Sequence, residues 1–229
     1  MVKYHPDTRF LTDYAAGSLP ESQALCVSAH LHYCPACRLK VGELMALGTE
    51  LFVTQEPAAV ADDSFARLMA RVDDSKTAAP ARRAPQALAS KAYQGKLPRA
   101  IQKLTNGDME AMTWHRIGNA FRYSPIRIKD KRRETSLMHI SAGGKLPKHH
   151  HKGDEITVVL KGSFSDQEGR YHVGDYIIRS GKDTHTPVAS QDEDCLCLAS
   201  LDAPIVMSNW LYRLLVPLYS RLVGGSATA

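Results

Sequence analysis

The sequence contains no long hydrophobic run. Across its 229 residues the longest apolar stretch lies near 210–223, and Arg213, Pro217 and Arg221 interrupt it. A bilayer span needs about 20 consecutive apolar residues, so no membrane-spanning helix is expected. No apolar segment follows Met1-Val2-Lys3-Tyr4. No secretory signal is therefore read, and a cytoplasmic protein without a membrane partner is expected. Cysteines are few, five in all. In a reducing compartment they favour metal binding or redox sensing over structural disulfides. Internal repeats are lacking, as are a helix-turn-helix pattern and a DNA-binding finger spacing, so direct DNA binding is not expected. The net charge of +5 has local sources, Arg82-Arg83 and the run from Arg127 to Arg133. Such runs read first as solvated loops, with a nucleic-acid patch as the sharper alternative.

What the chain does carry is a metal-ligand pattern. His30, Cys34 and Cys37 form H-x3-C-x2-C, and His5 lies upstream in His5-Pro6-Asp7. Two thiols three residues apart and an imidazole four residues before them can converge on one tetrahedral ion. Zn²⁺ is the usual occupant of a Cys/His set, and His5 is the candidate fourth ligand. A thioredoxin-like redox pair would need a preceding strand in a βαβ context, which the flanking sequence lacks.

The first 75 residues read as about four helices. Pro6–Ala16 carries Phe10, Leu11 and Tyr14 at helical spacing and ends before Gly17, glycine being the usual residue past a helix end. Ser18-Leu19-Pro20-Glu21 has the form of a capping box and opens a helix over about 20–32. A third runs over about 35–52. Asp62-Asp63-Ser64 can cap a fourth, in which Phe65, Leu68, Met69 and Val72 make one apolar stripe at i, i+3, i+4, i+7. That stripe can pack on the other helices or lie in a partner's groove; the sequence leaves both open. Residues 76–97 contain Thr77-Ala-Ala-Pro80-Ala-Arg-Arg-Ala-Pro85 and lack an apolar period, so they read as a flexible linker. The expected chain is α+β in two domains: residues 1–75 helical and zinc-stapled, and residues 98–229 all-β. A short amphipathic helix is expected over 209–223.

Glu134–Ser141, Glu155–Leu160 and Tyr176–Arg179 are short β-rich runs punctuated by glycine, the pattern of a sandwich or barrel. Among them, His149 and His151 share one face of a strand. Glu155 follows a glycine turn, and His185 comes from a later strand. Three imidazoles and a carboxylate suit a divalent transition metal. The spacing Gly143, His149, His151, Glu155, Gly162 resembles the first motif of the cupin superfamily. Gly174-Asp175 through His185 resembles the second, with Ser180 where the family usually has Pro and Ala189 where many enzyme members carry Asn. Cys195 and Cys197 fall on one face of a late strand. They read as buried strand residues or as an oxidant-sensitive pair.

Taken together, His5…Tyr14-Ala-Ala-Gly-Ser-Leu-Pro-Glu21…His30…Cys34-x-x-Cys37-Arg38, the linker and the cupin motifs resemble the ChrR family of zinc-containing anti-sigma factors over almost the whole chain. That resemblance implies zinc on His5, His30, Cys34 and Cys37. It implies a second metal, zinc in the family or another divalent transition ion, on His149, His151, Glu155 and His185. It also implies a helical domain that binds an extracytoplasmic-function sigma factor one-to-one, with Phe65, Leu68, Met69 and Val72 as partner-facing candidates. The cupin domain would sense singlet oxygen or organic hydroperoxides, with Cys195 and Cys197 as redox candidates, and would release the sigma factor without acting as an enzyme. The competing reading is a metal-dependent cupin dioxygenase or isomerase with a regulatory zinc head. No further acid/base set with readable spacing supports it.

Overall fold

A computed structural model describes residues 2–78, 97–130, 132–181, 183–202 and 205–207, without the side chains of residues 75–78, 151 and 205–207. Residues 79–96 of the expected linker and the helix expected over 209–223 lie outside the described residues.

Among the described residues five helices are seen: α1 (Thr8–Ala15), α2 (Glu21–Tyr33), α3 (Pro35–Val53), α4 (Ser64–Ala78) and α5 (Arg99–Leu104). Asp7 caps α1 by accepting from Phe10 N at 2.9 Å. The capping box expected at Ser18 does not form. A box needs the serine at the N-cap and the glutamate three residues on, but Pro20 is the N-cap and Glu21 the first helical residue. Ser18 Oγ donates instead to Asp13 O at 3.1 Å, and Glu21 Oε2 accepts from Lys129 N at 2.7 Å.

The strands are β1 (His115–Ile117), β2 (Phe121–Pro125), β3 (Glu134–Ile140), β4 (His149–His151), β5 (Glu155–Lys161) and β6 (Ser163–Ser165). There follow β7 (Arg170–His172), β8 (Tyr176–Arg179), β9 (Thr184–His185), β10 (Val188–Ala189), β11 (Cys195–Leu201) and β12 (Ile205–Met207). They form a six-stranded sheet, β1-β2-β3-β11-β5-β8, and two three-stranded sheets, β10-β6-β7 and β12-β4-β9.

Strand alternation sorts the side chains of the large sheet into two cores. Cys195, Cys197, Val159 and Ile177 point inward and pack with Phe164 and Tyr171 of the small sheets. Leu196, Leu198, Ile156 and Val158 point outward and join Leu25, Val27 and Ala29 of α2, Val41 of α3 and Ile101 of α5 in one continuous cluster. This explains why β11 is buried along its whole length and reads as an unbroken apolar run. The helical region therefore does not rest on a small core of its own. Each aliphatic side chain fully buried in this seam stabilises by about 1.5–3 kcal/mol, and the seam belongs to helices and sheet alike.

The α4 stripe is outside that core. Phe65 is 74% exposed, Leu68 54%, Met69 40% and Val72 38%. Leu51 and Phe52, near the end of α3, are 60% and 78% exposed. No described helix is long and apolar enough to cross a membrane.

Candidate metal centres

Cys34 closes α2 and caps α3, its Sγ accepting from Cys37 N at 3.4 Å. One turn earlier His30 is buried on α2. The segment before α1 carries His5 over both thiols, with Nδ1 3.4 Å from Cys34 Sγ and 3.5 Å from Cys37 Sγ. The ligand atoms of all four residues lie within 4.8 Å of one another. Tetrahedral zinc, bonded at about 2.3 Å to sulfur and about 2.0–2.1 Å to nitrogen, sets sulfur and nitrogen roughly 3.5 Å apart. The observed spacing is that of a closed set of two cysteines and two histidines.

The protonation of the set points the same way. His30 Nδ1 lies 2.7 Å from Gly174 O, and a carbonyl can only accept, so the proton is on Nδ1 and the lone pair on Nε2. That Nε2 is buried with no hydrogen-bond partner, a costly position for an acceptor unless a cation fills it. Burial lowers the His30 pKa and keeps the ring neutral. Burial, with Cys34 alongside, pushes the Cys37 thiol up to about 12. A thiol ligates only as thiolate, which bound zinc itself enforces. These residues fit zinc.

The outer contacts of this set run to the barrel. Gly174, between β7 and β8, has φ +91°, and a Cβ there would lie 2.7 Å from atoms of both Val2 and Tyr33. Only glycine lets the N-terminal segment and the end of α2 close onto this turn. The carboxylate of the next residue, buried Asp175, accepts from Lys3 N at 2.7 Å, Tyr4 N at 3.1 Å and His172 N at 2.8 Å. Tyr176 N donates to Tyr4 O at 3.0 Å. The barrel thus holds the residues that place His5. The sequence marks Gly174-Asp175 as a turn, but nothing local reveals what the turn grips.

In the barrel, β4 and β9 pair so that His149 and His185 are directly opposite, with their Nε2 atoms 2.9 Å apart. His149 Nδ1 faces Pro147 O at 2.9 Å, and His185 Nδ1 faces Asp166 Oδ2 at 3.4 Å. With both outer nitrogens turned to oxygen acceptors, the two Nε2 lone pairs face each other. That arrangement calls for a proton or a metal cation between them. Glu155 points inward from β5, its Oε2 3.7 Å from His185 Nε2. His151 is on β4, and its side chain lies outside the described residues.

Behind His185 stands a group that sequence reasoning missed. Asp166 accepts from Arg179 at 2.8 Å, Tyr171 Oη at 3.1 Å and Glu168 N at 2.9 Å, while Arg179 also pairs with Glu168. Burial works to raise the Asp166 pKa, but hydrogen bonds from His185 and Arg179 overcome it and hold the carboxyl well below the usual range. A lone Asp in a turn carries no spacing signal that could have found it. Cys195 and Cys197 do face the barrel interior, Sγ to Sγ 3.7 Å. The hydrogen bond from Cys195 and burial raise the Cys197 pKa well above its ordinary value, so this is a thiol and a weak nucleophile.

The fold and its two ligand sets define a class: a zinc-binding helical head seated on a cupin barrel. The ChrR cupin-like domain family matches residues 102–203, and a zinc-finger family matches residues 8–38. The anti-sigma-E factor ChrR of Cereibacter sphaeroides is 36% identical over 220 residues, 95% of this chain and 98% of that protein. The crystal structure of Rhodobacter sphaeroides SigE in complex with the anti-sigma ChrR matches with TM-score 0.72 and 31% identity, covering 88% of this chain and 99% of that chain. An RmlC-like cupin protein of Ralstonia eutropha matches more loosely, with TM-score 0.40 and 20% identity over 53% of this chain and 90% of that chain. The chain belongs to the ChrR family of anti-sigma factors.

Proposed function

We propose that the protein binds an extracytoplasmic-function sigma factor one-to-one through its helical head and releases it when the barrel responds to oxidative stress. The role is regulatory rather than enzymatic, and it is exercised in the cytoplasm. The observation that carries this reading is the exposed apolar face of the head, formed by Phe65, Leu68, Met69 and Val72 on α4. An extended apolar surface rimmed by polar residues marks a docking site, and an amphipathic helix that turns its stripe to solvent fits a partner's groove. Residues 1–75 are the binding unit, 76–97 the linker and 98–229 the sensor.

Zinc is assigned to His5, His30, Cys34 and Cys37, where it would tie the N-terminal segment to α2 and α3. A divalent transition ion, zinc included, is assigned to His149, His151, Glu155 and His185, where the facing Nε2 lone pairs support it. Bound there, such an ion would supply a charge centre whose loss or rearrangement the barrel can register. Singlet oxygen or an organic hydroperoxide would act on oxidisable side chains that face the interior, with Cys195 and Cys197 as candidates once a bound cation nearby favours thiolate over thiol. The signal would reach the head through the Gly174-Asp175 turn, which grips both His30 and the segment carrying His5.

The test is capture of the cognate sigma factor by the zinc-loaded chain. The double variant Phe65→Asp/Leu68→Asp should keep its zinc and lose capture at least about tenfold, a loss of roughly 1.4 kcal/mol or more. His149→Ala should keep capture and lose stress-induced release. Undiminished capture by the first variant removes α4 from the interface, and an unchanged stress response in the second removes the barrel ligands from sensing.

A further inference from the structure

The outer face of the large sheet carries a polar cavity that neither ligand set uses. Arg116 on β1, Arg122 on β2 and His139 on β3 stand in one cross-strand row, Arg116 opposite Arg122 and Arg122 opposite His139. Like charges directly opposite on adjacent strands destabilise a sheet, so two facing arginines call for a compensating anion. Neither guanidinium makes an ion pair or hydrogen bond with a described residue. Asp194, at the end of the row, is already committed: it takes His139 Nε2 at 3.0 Å and Ala142 N at 2.9 Å.

Arg122 is instead held by stacking, its guanidinium carbon 4.8 Å from the Trp114 ring centre. Trp114 is itself fixed by a hydrogen bond from Nε1 to Met109 O at 2.8 Å. The arginine is therefore oriented without using up its donors on acceptors. In front of it opens a cavity of about 210 Å³ lined by Arg116, Asn119, Arg122, His139, Ser141 and Asp194. Burial, reinforced by Arg122, lowers the His139 pKa and keeps that ring neutral. Two guanidinium charges against one carboxylate leave the cavity a single net positive charge.

We propose that this cavity binds a small monocarboxylate, with Arg122 and Arg116 as its anion clamp. A planar guanidinium matches a carboxylate through paired N–H donors. Asn119 and Ser141 add uncharged polar groups suited to a hydroxyl or carbonyl on the same molecule. The Asp194 carboxylate disfavours a dianion such as phosphate near neutrality. The cavity backs onto β11, where Asp194 immediately precedes Cys195, so occupancy touches the strand that carries the interior thiols.

The chain has two tryptophans, Trp114 and Trp210, so Trp210→Phe leaves Trp114 as the sole reporter beside Arg122. Its emission in the full-length, zinc-loaded protein is titrated with acetate, lactate and benzoate at constant ionic strength, with chloride, lactamide and inorganic phosphate as parallel arms. A saturable change with at least one carboxylate, absent with chloride and lactamide, is expected. Arg122→Gln and Arg116→Gln should each weaken that Kd about tenfold or more. Arg116 is exposed, so its variant reads binding without disturbing the fold. The proposal is overturned if none of the three carboxylates saturates, if phosphate binds as tightly as the best of them, or if Arg116→Gln leaves the Kd unchanged.

Discussion

The head and the barrel each gather imidazoles, but they hold them by different means. In the head, three of the four ligands lie within eight residues of chain, at one helix junction, and the fourth sits on an extended segment. Take the ion away and what remains is an orphaned His30 nitrogen and a Cys37 thiol whose pKa is raised to about 12. In the barrel, His149 and His185 are set opposite each other by the β4–β9 ladder, and Glu155 by its place on β5 between β8 and β11. That framework consists of backbone hydrogen bonds between strands. On the proposed assignment, zinc in the head would be a structural member, whereas an ion in the barrel would occupy a frame set by strand pairing and could change state while that frame stands.

The largest test of this contrast is to remove one ligand from each set. Structural zinc is worth about 10–16 kcal/mol in isolated zinc-finger peptides. Here the core shared with the sheet retains part of the head's packing. Cys37→Ser should release the head's zinc and open the amides of α1, the end of α2 and the start of α3 to hydrogen exchange. His149→Ala should leave the strand amides protected. Equal loss of protection in both halves would break the contrast.

A middle-sized effect is expected from Asp166→Asn. The buried carboxylate behind His185 faces the ring's Nδ1 at 3.4 Å and would strengthen it as the proposed ligand; loss of such a partner typically weakens metal binding about 10–100-fold. Titration of metal into protein whose head zinc is already bound should show that loss at the barrel site alone. An unchanged affinity would reduce Asp166 to a partner for Arg179.

The smallest effect concerns a polar contact on the seam. Ser22 Oγ on α2 donates to Asp130 Oδ2 at 2.6 Å. That hydrogen bond holds the Asp130 carboxyl below the usual range. A carboxyl depressed in the folded state adds stability above its unfolded pKa, about 3.9, and loses it as pH falls through the folded value. The melting temperature of Asp130→Asn should therefore fall slightly less than that of the parent on acidification below about pH 4. Parallel acid profiles would show that this contact does not hold the head.

Much of the site could be read from residue spacing, because local ligands announce themselves. His30, Cys34 and Cys37 are close in sequence, and the helix junction at Cys34 follows from Pro35. The β-rich runs likewise placed β3, β5 and β8 to within a residue. What escaped depends on contacts far apart in the chain. Asp175 meets residues 3 and 4, Asp166 meets His185 across two sheets, and the Arg116–Arg122–His139 row exists only once three strands are in register. The fate of the α4 stripe was also undecidable from periodicity, since an apolar helix face has the same pattern whether it is covered by its own domain or offered to another.

The hydrogen bond from His30 to Gly174 has a thermodynamic corollary. One imidazole presents its Nε2 to the zinc site and its Nδ1 to the barrel, so the two contacts share a single ring orientation. Coupling of this kind is reciprocal: whatever favours the docked barrel turn favours zinc, and zinc favours the docked turn by the same factor. The zinc affinity of the head is then a gauge of how firmly the two halves are joined, readable in solution without following either half directly.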